Sequence, residues 1–185
     1  MTTIRNERPA DHNGREALLD LAYGPVRHAK PSARLRAGRL PADSLSLVAR
    51  ERGRIVGTVQ LWSINAGNNR PALLLGPLAV HPDARRRGLG AALMRRALAD
   101  AARLGHAAVL LVGDASYYGR FGFSAEKTGN LRLLGIDDQA RLLACELAPG
   151  ALDGAHGYIR ATGRRAPVQP RADAKALAGL VQRAA

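Results

Sequence analysis

Between residues 72 and 104 an apolar run, a basic loop with two glycines and an amphipathic segment follow one another without a break. The run is Ala72-Leu73-Leu74-Leu75-Gly76-Pro77-Leu78-Ala79-Val80, and its unbroken apolarity predicts a strand buried on both faces. The loop continues His81-Pro82-Asp83-Ala84-Arg85-Arg86-Arg87-Gly88-Leu89-Gly90-Ala91 into a helix. Leu89, Leu93, Ala97, Ala101 and Leu104 share one helical face, Met94 and Leu98 widen it, and Arg95, Arg96, Asp100 and Arg103 are assigned to the other. A strand feeding a helix through such a loop must pack the helix back onto a sheet, so the chain is committed to a mixed α/β core. Gly88 and Gly90 carry no Cβ, which lets the backbone turn sharply and bring its N–H groups against a ligand. Those N–H groups are also the unsatisfied donors of the following helix, whose dipole adds positive potential there. With Arg85, Arg86 and Arg87 alongside, the segment reads as a site for a phosphate or pyrophosphate.

Two familiar phosphate loops do not fit. A P-loop requires Lys and Ser or Thr after its glycines, and this chain has Gly90-Ala91-Ala92. A dinucleotide loop requires glycines directly after the strand, whereas seven residues separate Val80 from Gly88 and Leu93 holds the third small-residue position.

The flanking chain predicts a sheet that is largely antiparallel. Residues 2–7 read as a strand with Ile4 inward, and residues 12–23 as a helix capped by Asp11, its apolar face including Leu18, Leu19, Leu21 and Ala22. Residues 25–42, broken by Pro31, Gly38 and Pro41, read as a solvated basic loop with one short helix. Residues 45–50 and 54–64 flank Glu51-Arg52-Gly53, a hairpin signal, and residues 65–70 form a second turn before the apolar run. Gly76-Pro77 is a bulge signal within that run. Residues 107–112 predict a short buried strand parallel to the run through the helical crossover, and residues 139–147 and 157–161 two more strands. Residues 163–171 are polar, basic and contain Pro167 and Pro170, which reads as a linker to a short helix over residues 172–185.

Composition excludes several classes. The 185 residues suit one domain with its own core. A single cysteine, Cys145, cannot form an internal disulfide and fits a reducing compartment. No apolar run approaches the roughly 20 residues that span a bilayer, and the N-terminus lacks a signal-peptide core, so a cytoplasmic protein without a membrane partner is expected. The net charge of +13 rests on arginine, with Lys30, Lys127 and Lys175 the only lysines, and aromatics make up 4% of the chain. Base-stacking platforms are thus scarce, and nucleic-acid binding is expected to be weak, salt-dependent and not sequence-specific.

Four aromatic residues fall within Gly113-Asp114-Ala115-Ser116-Tyr117-Tyr118-Gly119-Arg120-Phe121-Gly122-Phe123. The spacing Arg85-x-x-Gly88-x-Gly90, followed by helix, strand and this segment with Tyr118 four residues before Gly122-Phe123, resembles the GNAT superfamily of N-acetyltransferases. The resemblance covers about residues 2–148. It implies an α/β fold of the α+β type, with a mixed, largely antiparallel central sheet and flanking helices. It further implies residues 1–162 as the acetyltransferase domain and 163–185 as the basic linker and helical tail.

The implied reaction is direct transfer of acetyl from acetyl-CoA, without a metal, to a primary amine on a small molecule or peptide. Backbone N–H groups of Arg85, Arg86, Arg87, Gly88, Leu89, Gly90 and Ala91 would hold the pyrophosphate. Leu78, Ala79 and Val80 would line the pantetheine arm, with an N–H near Leu78 polarising the thioester. Tyr118 matches the family's general acid, and Tyr117 packs beside it against the cofactor. No acidic residue or histidine lies in the apolar run, so the general base is not visible. His81 is expected to be structural and Asp114 to cap a short helix at Ser116. A non-catalytic CoA-binding or basic RNA-contacting module is the alternative, and a homodimer is open as an assembly.

Overall fold

The structure, a computed structural model, describes residues 1–167; the helix expected over residues 172–185 lies outside them. Eight strands form a sheet whose main path runs β1-β2-β3-β4-β5-β7. These are β1 (Thr2–Asn6), β2 (Ser46–Glu51), β3 (Arg54–Ala66), β4 (Pro71–Val80), β5 (Ala108–Val112) and β7 (Leu142–Glu146). The short β8 (Gly157–Ala161) pairs with the last three residues of β3, and β6 (Leu131–Arg132) pairs with β8. Along the main path every pairing is antiparallel except β4 with β5. The mixed, largely antiparallel sheet with flanking helices is therefore as expected.

Local chemistry accounts for the elements. The β2–β3 hairpin turns on Arg52 and Gly53, both at positive φ (48° and 80°), the left-handed pair that matches the twist of a hairpin. Helix α3 (Leu89–Arg103) carries the β4-to-β5 crossover and lays Leu89, Leu93, Met94, Ala97 and Ala101 on one face of the sheet. Leu73 and Leu75 of β4 point to that face and Leu74 to the other, where Trp62, Ile64, Leu110 and Leu131 join it. Helix α1 (His12–Tyr23) packs Leu18 and Leu19 against Ala79.

Several expectations need correction. Leu104 is 42% exposed because α3 ends at Arg103 and the backbone has already left the helix. Asp100 is 6% exposed, on the buried side three residues beyond Ala97, where Arg96 and Arg103 pair with its carboxylate at 2.8 and 3.4 Å. Leu21 is 58% exposed, outside the apolar face of α1.

Asp11 precedes α1 as expected, yet its side chain makes no N-cap hydrogen bond to that helix. Its carboxylate instead accepts the Arg8 N–H at 2.8 Å and pairs with Arg5 and Arg50 at 2.7 and 2.9 Å. The Arg5 hydrogen bonds outweigh burial and hold its pKa down at about 2. The 25–42 segment holds the one short helix expected, α2 (Pro31–Arg36), preceded by a 3-10 turn (Pro25–His28). Strand β7 starts at Leu142 because Asp138 accepts the Ala140 N–H and opens a 3-10 turn (Gln139–Arg141). Residues 163–166 are not a free linker: the Arg164 carbonyl accepts from Leu40, the Ala166 N–H donates to Gly38, and Arg164 pairs with Asp43.

Gly57 of β3 lies directly under α3. A Cβ there would stand 2.8 Å from Cδ1 of Leu93, which is fully buried and has no room to retreat. Gly57→Ala should cost about 1–3 kcal/mol by overpacking and Leu93→Ala about 2–5 kcal/mol by cavity formation. In the double variant the two losses should be less than additive, because the new methyl enters the vacated space. Urea denaturation of the four proteins measures this; strict additivity would show that the two side chains do not share space.

Candidate active site

The only parallel pairing along the main path is short. β4 meets β5 through Leu73 with Val109 and Leu74 with Leu110, and beyond that point the two strands part. The cause is in β4 itself. Val59 faces Leu78 and Leu61 faces Leu75, so Gly76 and Pro77 together oppose the single residue Gln60. This is the bulge the Gly-Pro pair predicted. Gly76 adopts φ 129°, a conformation that L side chains rarely take, and the Trp62 indole N–H donates to its carbonyl at 2.7 Å.

After the bulge β4 stays paired with β3 on one edge only. The His81 N–H donates to the Val56 carbonyl at 2.9 Å, and antiparallel alternation then turns the backbone of Ala79 toward β3. The N–H and C=O groups of Leu78 and Val80 consequently face the gap. The Leu78 carbonyl accepts from the Tyr23 hydroxyl at the end of α1.

The free edge leads into the basic loop. Gly88 is the N-cap of α3 at φ 75°, and its carbonyl accepts the first helical N–H, from Ala92, at 3.0 Å. The N–H groups of Leu89, Gly90 and Ala91 therefore have no intrahelical partner, and a glycine N-cap has no side chain to supply one. Gly90 is an ordinary helical residue, so only Gly88 uses a glycine's left-handed freedom; the second left-handed residue is Arg86, at φ 61°. The three arginines do not act alike. Arg87 forms a two-pronged pair with Glu51 at 2.6 and 3.0 Å, and this pairing holds the Glu51 pKa at about 2. Arg85 and Arg86 are exposed and have no carboxylate partner among the described residues.

On the other side of the gap, α4 (Ala115–Tyr118) follows β5. Asp114 caps it by accepting the Ser116 N–H at 2.9 Å, as expected. Its two tyrosines diverge. Tyr117 is 38% exposed, stacks under the Arg120 guanidinium at 4.1 Å, and brings its hydroxyl beside Gly90. Tyr118 turns inward against Phe123, with ring centroids 6.1 Å apart. Its ring lies so close over Gly113 that a Cβ there would stand 2.2 Å from Cε2. Burial, with the neighbouring phenols Tyr23 and Tyr117 adding to it, pushes the Tyr118 pKa up to about 12.

Tyr118, Leu78, Pro77, Trp62, Tyr23 and Glu16 are among the residues lining a cavity of about 400 Å³ in front of the gap. Tyr23 was not a candidate from sequence. The arginines of 25–42 suit a substrate entrance as well as a solvated loop; the loop was the expectation, and Arg27 and Arg36 line the cavity. Burial tends to raise the Glu16 pKa, but the Arg27 hydrogen bond and the charges of Arg15 and Arg27 hold it below the usual range, which makes it a poor base. His81 caps a turn by accepting the Asp83 N–H, a structural duty.

A divergent parallel pair, a bulged strand with a free inner edge and a helix N-terminus beyond it define an acyltransferase-type fold. The chain belongs to the GNAT family of N-acetyltransferases. The acetyltransferase (GNAT) domain model matches residues 42–125. The uncharacterized N-acetyltransferase YhbS of Escherichia coli K12 is 31% identical over 158 residues, spanning 84% of this chain and 93% of the relative. A crystal structure of E. coli YhbS in complex with CoA superposes with a TM-score of 0.74 at 31% identity, covering 87% of this chain and 89% of that one. A GNAT acetyltransferase from Brucella melitensis, solved with acetyl-CoA, gives a TM-score of 0.67 at 27% identity, with 88% and 96% covered. Among the described residues no helix is long and apolar enough to cross a membrane.

The seating of Tyr118 on Gly113 is directly testable. Gly113→Ala should expel the ring and cost about 1–3 kcal/mol in urea denaturation. A variant as stable as the parent would mean that the ring leaves Gly113 freely.

Proposed function

We propose that this chain transfers the acetyl group of acetyl-CoA directly to a primary amine, with Tyr118 as general acid and Leu78 as the oxyanion donor. The observation that carries the reading is the free inner edge of β4 after Gly76-Pro77. It ends at the unsatisfied N–H groups of α3, and its Leu78 shares one cavity with Tyr118.

The outward-facing backbone of Leu78 and Val80, with Ala79 between them, suits an extended pantetheine arm bound as an extra strand. The N–H groups of Leu89, Gly90 and Ala91, continuous with those of Arg86, Arg87 and Gly88, suit the pyrophosphate, with the helix dipole behind them. The Arg85 N–H, expected to join them, instead donates to the Pro82 carbonyl at 3.1 Å, which leaves Arg85 its side chain alone to contribute. Tyr117, stacked beside Gly90, would pack against the cofactor. The relatives solved with CoA and acetyl-CoA support the same ligand here. The loop, the edge and Tyr118 come from one chain, so the site needs no second copy.

The chain's groups then act in sequence. Leu78 N–H stabilises negative charge on the thioester oxygen as the neutral amine nitrogen bonds to the carbonyl carbon; losing one such donor typically costs about 100- to 1000-fold in rate. Tyr118 delivers its proton to sulfur as the C–S bond breaks. The attacking nitrogen, positively charged after the C–N bond forms, supplies the proton that restores the phenol. A phenol near 12 is a weaker acid than a thiol near about 8.5, so its proton must move as the bond breaks rather than beforehand.

Two variants separate the roles. Tyr118→Phe keeps the ring and should lower kcat by about 100-fold or more, while acetyl-CoA affinity by calorimetry hardly changes. Equal turnover would assign Tyr118 to packing. The pH profile gives a second check: a phenol held near 12 stays protonated throughout, so wild-type kcat should show no descending limb from Tyr118 below about pH 11.

For the loop, Gly90→Val is cleaner than a change at Gly88, because Gly90 has no positive φ and a first methyl there meets Tyr117 and Val80 only at 3.5 and 3.6 Å. It should weaken acetyl-CoA binding at least tenfold with little change in melting temperature. Unchanged affinity in the folded variant would remove this loop from the site.

A further inference from the structure

The cavity in front of Tyr118 carries positive charge that the surrounding ion pairs do not cancel. Arg15, Arg27, Lys30 and Arg36 line it against one carboxylate, Glu16. Two of these cations are accounted for. Arg15 pairs with Glu7 and Glu16 at 2.8 and 2.7 Å, and Arg27 with Glu16 and Asp20 at 2.6 and 2.8 Å.

Arg36, the last residue of α2, is different. Among the described residues it has no carboxylate partner, and its guanidinium makes one hydrogen bond, from Nε to the Ser32 carbonyl at 3.3 Å. Arg36 lines the cavity, and its two terminal nitrogens, which have no hydrogen-bond partner among the described residues, keep access to solvent. Burial and then the neighbouring charge of Arg27 bring its pKa down to about 10, while the charges of Tyr23 and Glu16 pull the other way; Arg36 is a partly desolvated cation beside another cation. Lys30 stands nearby with Nζ 4.5 Å over the Tyr23 ring, likewise without a carboxylate among the described residues. A desolvated cation without a counter-ion is costly, and an anion arriving with a ligand relieves that cost.

We infer that the acceptor is a small amine that also bears an oxyanion, a carboxylate or a phosphate, and that Arg36, assisted by Lys30, binds that anion. The inference rests on the acetyl-transfer reading and narrows its substrate class. The planar guanidinium fork matches either oxyanion through two parallel hydrogen bonds, and a cavity of about 400 Å³ suits a small ligand. Tyr23 connects the two ends of the site. Its ring lies under Lys30 while its hydroxyl holds the Leu78 carbonyl, so an acceptor anchored at Arg36 has its amine directed to the edge where the thioester is proposed to lie.

The test is thiol release from acetyl-CoA by the full chain with amine pairs that differ only in the anion: alanine with ethylamine, phenylalanine with phenethylamine, and phosphoethanolamine with ethanolamine. In at least one pair the anionic member should have a kcat/KM about 10- to 100-fold higher, the scale of a charge-assisted hydrogen-bonded pair. The pair with the larger ratio identifies the oxyanion. Arg36→Gln should collapse that ratio chiefly through KM with acetyl-CoA affinity unchanged, and Arg36→Lys should restore part of it. Neutral amines equal or better in every pair, or a ratio that survives Arg36→Gln, would overturn the inference while leaving acetyl transfer intact. Transfer to no amine, together with absent acetyl-CoA binding, would instead remove the underlying reading and this one with it.

Discussion

The structure depends on one irregularity in an otherwise regular sheet. Where Gly76 and Pro77 together oppose Gln60, β4 bends away from β5 and half of its length loses a partner on that side. An unpaired inner edge inside a sheet is a liability unless something completes it, because its N–H and C=O groups have been taken from water. Here the unpaired groups belong to Leu78 and Val80, and the Tyr23 hydroxyl satisfies the Leu78 carbonyl. The Trp62 indole fixes the bulge from the neighbouring strand. Everything in the site is measured from this bend: the cavity in front of it, the helix N-terminus beyond it and the phenol across it.

The first half of the chain supplies the wall. Helix α1 is fastened to the sheet by Leu18 and Leu19 on Ala79 and, at its start, by the carboxylate of Asp11 between Arg5 and Arg50. That fastening sets where Tyr23 and Glu16 stand. The following basic segment brings Arg27, Lys30 and Arg36 to the same cavity, while Arg34 is exposed and Arg39 reaches the Gly163 carbonyl instead.

The elements that position the cofactor region were legible because each rests on a short-range rule. Alternation and apolar runs mark β2 to β5, Gly53 marks the hairpin, and Gly76-Pro77 marks the bulge. Tyr118, Gly88 and Gly90 were singled out by spacing within one contiguous unit, although of the two glycines only Gly88 takes the left-handed turn. The acceptor side was not legible, because it is assembled from residues distant in sequence. Nothing near Tyr23 announces that its hydroxyl reaches Leu78, and nothing near Arg36 distinguishes it from Arg34, which is exposed on the same short helix. Asp100 and Leu104 were misplaced for a simpler reason: the face was assigned by residue type, whereas helical geometry and the end of α3 decide it. In the same way Asp11 was assigned by its residue type to a cap, and tertiary partners claimed it instead.

The way Tyr118 is seated has a consequence for how related sequences can diverge. No side-chain hydrogen bond within the described residues anchors its hydroxyl; the ring is located by the bare backbone of Gly113 beneath it and by Phe123 and Tyr117 at its sides. Its reach is thus a property of volume, adjustable in small steps by residues that never meet a substrate. On the proposed roles, drift in the packing beneath α4 would alter catalytic speed gradually, while the loop and the cation at Arg36 would respond to different pressures. Rate, cofactor affinity and acceptor choice can then evolve as nearly independent traits on one scaffold.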